Sequence, residues 1–211
     1  MNNIESRSKT ILNLSNFNLT NIPEFVSRVN LVCPHDRQYI LRMLVKQSHH
    51  DYRLPNELDW LRPALEIAIK NQNIMNIRQP YCYITVRHGF VTSETDDMYH
   101  VDGFSMKVTH VPEQNYVWAN EYPTEFVAAP IAFPNDFDPM RHNVHLYLQN
   151  VIERCGIKPH TLNANTLYCM DPYVIHRRPV LPSNIYRTFI RISFTPIIIP
   201  DDTNTQNPLI K

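Results

Sequence analysis

The ten residues 185–194, IYRTFIRISF, constrain the chain more than any other stretch, because they are β-branched and aromatic yet carry two arginines. Such residues favour strands. In a strand successive side chains point to opposite faces, so Arg187, Phe189, Arg191 and Ser193 share one face, and Thr188, Ile190, Ile192 and Phe194 the other. Two guanidiniums on one interior face require an anion, since an unpaired buried charge costs several kcal/mol. Either a protein carboxylate or a bound dianion meets that need. Upstream, Tyr173, Val174 and Ile175 lead into His176, and Leu181, Pro182, Ser183 and Asn184 have turn character. Residues 173–194 therefore read as a hairpin, with His176 opposite Arg191 and Val180 opposite Arg187, because directly opposed residues of an antiparallel pair have a constant index sum. Pro179 must then lie at an edge or a bulge. A bulge that shifts the register by one separates Arg191 from His176 but leaves Arg187 in service.

At 211 residues the chain suits a single domain with a full core. Twenty basic residues balance twenty acidic ones, which leaves no broad field for phosphate backbones or anionic membranes. Only three glycines are present, and no GxGxxG or GxxxxGK[ST] motif occurs, so nucleotide binding through a glycine-rich loop is excluded. Cys33, Cys82, Cys155 and Cys169 are scattered without a CxxC pair, as expected of small core residues in a reducing compartment. With no signal-like or membrane-spanning apolar run, the expected location is cytoplasmic.

Residues 1–30 read as an irregular arm. Residues 34–47 place Tyr39, Ile40, Met43 and Leu44 at helical spacing, and a second helix follows Leu54 and Pro55 with Leu58, Leu61, Leu65, Ala68 and Ile69 as its stripe. Cys33 and His35, and His49 with His50, lack partners at ligand spacing and read as solvated loop. The texture changes at Pro80. Residues 81–88 alternate as a strand, and strand-like runs recur at 104–111, 162–170 and 197–199. Residues 112–120, polar and aromatic by turns, suit a pocket rim. Residues 141–155 read as a helix ending before Gly156, with His142 and His145 on a solvated face. The tail 201–211 reads as loosely ordered.

His100 and Asp102 stand two apart in Met98-Tyr99-His100-Val101-Asp102-Gly103. On an extended backbone both face the same way with α-carbons ~6.5 Å apart, a spacing that suits one divalent ion. By itself an HxD tripeptide is common, and a surface histidine beside a turn-forming Asp-Gly gives the same letters.

HxD, the later His176, and arginines eleven and fifteen residues beyond it form an ordered set. In this order and spacing the chain resembles the iron(II)- and 2-oxoglutarate-dependent dioxygenases over residues 80–200, and its YxxHRRP and RTFIRISF texture is most similar to the branch holding phytanoyl-CoA hydroxylases and taurine dioxygenase. The resemblance implies that His100, Asp102 and His176 hold Fe(II), that Arg187 anchors the far carboxylate of 2-oxoglutarate and that Arg191 approaches the carboxylate next to the metal. It also implies a mainly β fold with flanking helices: a double-stranded β-helix, or cupin-like jelly roll, over 80–200. The arm and supporting helices of 1–79 would pack outside it, with 201–211 as a tail. The implied activity is oxidation, chiefly hydroxylation, of an unactivated C–H bond in a small molecule or peptide side chain, with O2 consumed and 2-oxoglutarate converted to succinate. A non-catalytic jelly-roll binding module and a nucleic-acid or protein demethylase of the same superfamily are the alternatives, since fold alone does not decide function. A cupin-type isomerase fits less well, because such sites carry HxH and a further Glu that this chain lacks.

Charge balance predicts that duplex nucleic acid is not bound. Labelled duplex and single-stranded oligonucleotides are expected to show no sub-micromolar binding at physiological salt. Binding that survives physiological salt would bring the nucleic-acid demethylase forward.

Overall fold

The computed structural model describes residues 18–19, 21–48, 50–91, 98–103, 113–138, 141–182, 185–199 and 201–210. The strands are β1 (Asn18–Leu19), β2 (Glu24–Arg28), β3 (Tyr39–Gln47), β4 (Tyr81–Val91), β5 (Gln114–Ala119), β6 (Glu125–Phe126), β7 (Ile131–Ala132), β8 (His160–Thr161), β9 (Thr166–Met170), β10 (His176–Arg177) and β11 (Ile185–Thr195). Helix α1 (Arg62–Ile74) follows a 3-10 turn at Asn56–Leu61, and helix α2 (Val144–Arg154) lies between β7 and β8. The protein is mainly β. A six-stranded antiparallel sheet runs in the order β2-β9-β5-β11-β4-β3, a three-stranded one in the order β10-β6-β8, and β1 pairs with β7. Among the described residues no helix is long and apolar enough to cross a membrane.

β11 is interior to the large sheet, bonded to β4 along its whole length and to β5 over 189–194. Its Thr188, Ile190, Ile192 and Phe194 face a core shared with Met43, Val45, Ile84, Val86, Tyr116 and Trp118. That core is closed by α1, which lays Ala64, Leu65 and Ala68 against it. The spacing of these three is the helical one, and Pro63 in the first turn presets the backbone where no N–H is needed. The second predicted helix therefore forms. The first does not: residues 39–47 are β3, paired with β4 from Tyr39↔His88 onward. Leu41, Met43 and Val45 carry a period of two through the same letters that suggested a period near four, and β4 would otherwise bury an unpaired backbone edge. The arm of residues 1–30 is likewise drawn into strands where it is described, since β2 pairs with β9 in the large sheet and β1 pairs with β7.

The expected hairpin over 173–194 is not made. β10 pairs with β6 and β11 enters the other sheet, so Arg191 stands opposite Val117 and Thr85 rather than His176. Pro179 and Pro182 explain the break, because neither offers an N–H to a ladder. Ser183 and Asn184 lie outside the described residues, as do His49 and the strand-like run 104–111.

Three smaller expectations also change. Residues 114–119 are an interior strand and not a rim, residues 197–199 form no strand, and the tail is held in place. Thr205 N donates to Arg42 O (2.7 Å), and the amide of Asn207, 7% exposed, donates to Leu44 O and Arg53 O (both 2.8 Å). Asn207→Ala leaves two carbonyls without those donors and is expected to cost about 1–3 kcal/mol. The urea midpoint should fall with an unchanged slope, whereas a midpoint equal to that of the parent would show that the Asn207 amide contributes nothing.

Candidate metal centre

Alternation places the candidate ligands. Tyr99 and Val101, 3% and 1% exposed, pack with Ile175 against Val144, Leu148 and Ile152 of α2. With those residues turned toward α2, His100, Asp102 and His176 face the opposite side. His100 and His176 form an antiparallel bridge, each backbone N–H donating to the other's carbonyl (2.9 and 3.0 Å). Their ring centroids are 4.3 Å apart. One ligand atom from each of His100, Asp102 and His176 falls within a 4.8 Å group, an arrangement that can hold a metal ion. Gly103 completes the turn. Its N–H donates to Pro172 O (2.7 Å), and a β-carbon there would come within 2.7 Å of the Tyr173 ring, so only glycine allows this approach.

The imidazoles are preset for a metal. His100 Nδ1 lies 2.9 Å from Met98 O, and His176 Nδ1 lies 2.9 Å from Val174 O. A carbonyl only accepts, so each Nδ1 carries a proton and Nε2 is the ring nitrogen left to coordinate. Burial, reinforced by the neighbouring His100, pushes His176 down to about 4 against the opposing pull of Asp102. It is therefore neutral near pH 7, as a ligand must be.

Asp102 is held by donors on the large sheet. Arg191 Nη1 lies 3.2 and 3.3 Å from its two oxygens, and Asn115 Nδ2 lies 2.8 Å from Oδ2. Ser193 Oγ in turn donates to Asn115 Oδ1. Burial raises the carboxyl, but Arg191, His176, His100 and Arg42 together outweigh it and hold Asp102 down at about 2. It is ionised throughout the physiological range. Arg191 thus reaches the group from across the molecule, through Asp102, and not through a hairpin with His176.

Arg187 lies on the same face of β11, four residues from Arg191, and is 5% exposed. Its Nε donates to Glu121 O (3.2 Å) and Tyr122 O (3.0 Å), and its guanidinium lies 5.3 Å from the centre of the Phe189 ring. Tyr122 has φ +46°, a left-handed conformation costly for a bulky residue, in the turn that presents these carbonyls. Among the described residues no carboxylate is within ion-pair distance of Arg187. Burial first, then repulsion from Arg178, push its guanidinium down to about 10.

His145 was expected on a solvated face but is half-buried on α2, its ring 5.6 Å from that of His100. His142 is exposed, as expected. Asn115 and Ser193 were not anticipated as partners of Asp102. Ser193 was legible as a same-face neighbour of Arg191, whereas Asn115 becomes visible only through the β5–β11 register.

No family model and no curated protein matches the chain. Among solved structures, EvdMO1 aligns with a TM-score of 0.40 and 17% identity, over 78% of this chain and 39% of its own. AviO1 from Streptomyces viridochromogenes Tue57 aligns with a TM-score of 0.40 and 13% identity, over 84% of this chain and 76% of its own. Likenesses this distant bear on neither ligand nor chemistry.

Replacing a ligand should cost more than replacing its support. Titration with Co(II), followed by visible absorption, is expected to show severe loss of affinity for His176→Ala and a fall of roughly 10- to 100-fold for Asn115→Ala. Unchanged Co(II) affinity in His176→Ala would remove that residue from the site.

Proposed function

We propose that the protein is an iron(II)- and 2-oxoglutarate-dependent dioxygenase that oxidises a C–H bond of a small molecule or peptide side chain, built on a double-stranded β-helix. The observation that carries this is the pairing of two imidazoles, each with Nδ1 held by a backbone carbonyl, and one ionised carboxylate with a buried arginine, Arg187, that has no carboxylate against it among the described residues. Two histidines and one carboxylate suit Fe(II) and leave positions open for a 2-oxo acid and O2. When bound, that metal would supply the oxidising chemistry that no side chain offers.

The chain's own residues bind and orient. His100, Asp102 and His176 would hold the metal, with Asn115 and Arg191 keeping the carboxylate turned toward the imidazoles. Arg187 would take the far carboxylate of 2-oxoglutarate through its planar fork, with the Glu121 and Tyr122 carbonyls fixing its Nε and leaving the terminal nitrogens to the ligand. Arg191 is secondary for that ligand, since one of its terminal nitrogens is engaged by Asp102. Val117, which stands opposite Arg191, belongs to a buried apolar cluster with Leu162, Tyr168, Met170 and Val174, and this cluster would limit water on that side of the centre.

Arg187→Lys retains the charge and loses the fork. Its affinity for 2-oxoglutarate, measured by calorimetry on Mn(II)-loaded protein, should fall ten- to a hundredfold, from ~1.5–3 kcal/mol for a charge-assisted contact, while Mn(II) affinity holds. Arg191→Lys should weaken Mn(II) instead, through Asp102. If Arg187→Lys binds 2-oxoglutarate like the parent, this assignment fails. Turnover of 2-oxoglutarate to succinate across a substrate panel tests the activity itself.

A further inference from the structure

Beside the metal centre, three buried polar atoms have no hydrogen-bond partner among the described residues: Arg42 Nε, Thr85 Oγ1 and Glu113 Oε2. They belong to one patch. Arg42 on β3 stands directly opposite Thr85 on β4, which stands directly opposite Arg191 on β11, so the three lie in a row on the face that carries the centre. Glu113 immediately precedes β5, and its Oε2 lies 4.0 Å from Arg42 Nη2, too far for a hydrogen bond. Thr85 and Glu113 are 8% and 6% exposed, and Arg42 is steadied over the Tyr83 ring at 5.2 Å.

This patch is unexplained by packing. Buried polar groups in folded proteins are nearly always paired, and a half-satisfied network is less stable than an apolar one. Glu113 and Arg42 stand at ion-pair distance without a hydrogen bond between them. Burial and the adjacent Arg191 push the Arg42 guanidinium down, while burial and Asp102 push the Glu113 carboxyl up. The unmet capacity is specific: a cationic N–H and a hydroxyl able to donate, next to a carboxylate oxygen able to accept.

We propose that Arg42, Thr85 and Glu113 form the head-group subsite for the primary substrate, which carries a carboxylate with a hydrogen-bond donor on the adjoining carbon, as in an α-amino acid or a 2-hydroxy acid. The Arg42 Nε–H and the Thr85 hydroxyl donate to the carboxylate, and Glu113 Oε2 accepts from the ammonium or hydroxyl. The subsite deepens the oxygenase reading and rests on it for the reaction that follows, although binding of the acid stands by itself. Arg42 lies on β3, outside the residues that carry the family resemblance.

The test is calorimetric titration of the full chain, loaded with Mn(II) and 2-oxoglutarate, with the L-α-amino acids, L-lactate and L-malate, each beside its amide. At least one acid is expected to bind, and its amide at least tenfold more weakly. Thr85→Val keeps the shape and loses the hydroxyl. It should weaken that acid about tenfold, the scale of one charge-assisted hydrogen bond, and melt no lower than the parent. Arg42→Gln should abolish acid binding while 2-oxoglutarate still binds. If Arg42→Gln does not fold, Thr85→Val and the comparison of acid with amide decide. The subsite is overturned if no acid binds, if the amide binds as tightly, or if Thr85→Val binds the acid like the parent. Failure of the parent to bind Mn(II) or 2-oxoglutarate counts against the oxygenase reading instead, and the same titrations on the metal-free chain then judge the subsite.

Discussion

Two backbone hydrogen bonds, exchanged between His100 and His176, hold the candidate centre together. They join segments seventy-six residues apart in the chain and fix which face each presents. Because the pair is directly opposed, both imidazoles emerge on one side, and the two-residue step to Asp102 returns the carboxylate to that same side. The apolar partners of this alternation, Tyr99, Val101 and Ile175, are driven against α2 by burial. The polar face is thus enforced by the hydrophobic one behind it. Burying a Leu- or Ile-sized side chain is worth about 1.5–3 kcal/mol, so turning the segment over would forfeit several such terms.

The large sheet contributes in a different way. β11 buries one face in the main core and lends the other to the centre, so that the strand which is most firmly held also carries Arg187, Arg191 and Ser193. Rigidity matters here because Arg191 and Asn115 set the orientation of Asp102, and orientation of a carboxylate depends on donors that do not move.

Much of this was legible in the letters. Alternation in β11 and β4, the apolar stripes of α1 and α2, and the shared facing of His100 with Asp102 all follow from periods that local residues determine. What escaped was non-local. Residues 39–47 satisfy a helical and an extended period at once, and only the neighbouring edge of β4 decides between them. The hairpin over 173–194 was plausible from its turn residues, but sheet membership is a property of partners, and β10 finds its partners in Phe126 and His100. The route by which Arg191 reaches the centre therefore differs from the one expected, although the two do meet. His145 escaped for a related reason: two histidines on one helix look alike in sequence, while only one of them points at the bridge.

The clasp formed by Thr205 and Asn207 has a consequence beyond stability. β3 is the last strand of the six-stranded sheet, and such a border offers a row of unsatisfied amides and carbonyls to any other chain that arrives extended. Thr205 occupies part of that row with a parallel bridge to Met43, and Asn207 takes the carbonyl of Leu44. The tail thus acts as a guard on an adhesive margin, blocking sheet-to-sheet association between copies of the protein at the very strand whose inner face bears Arg42.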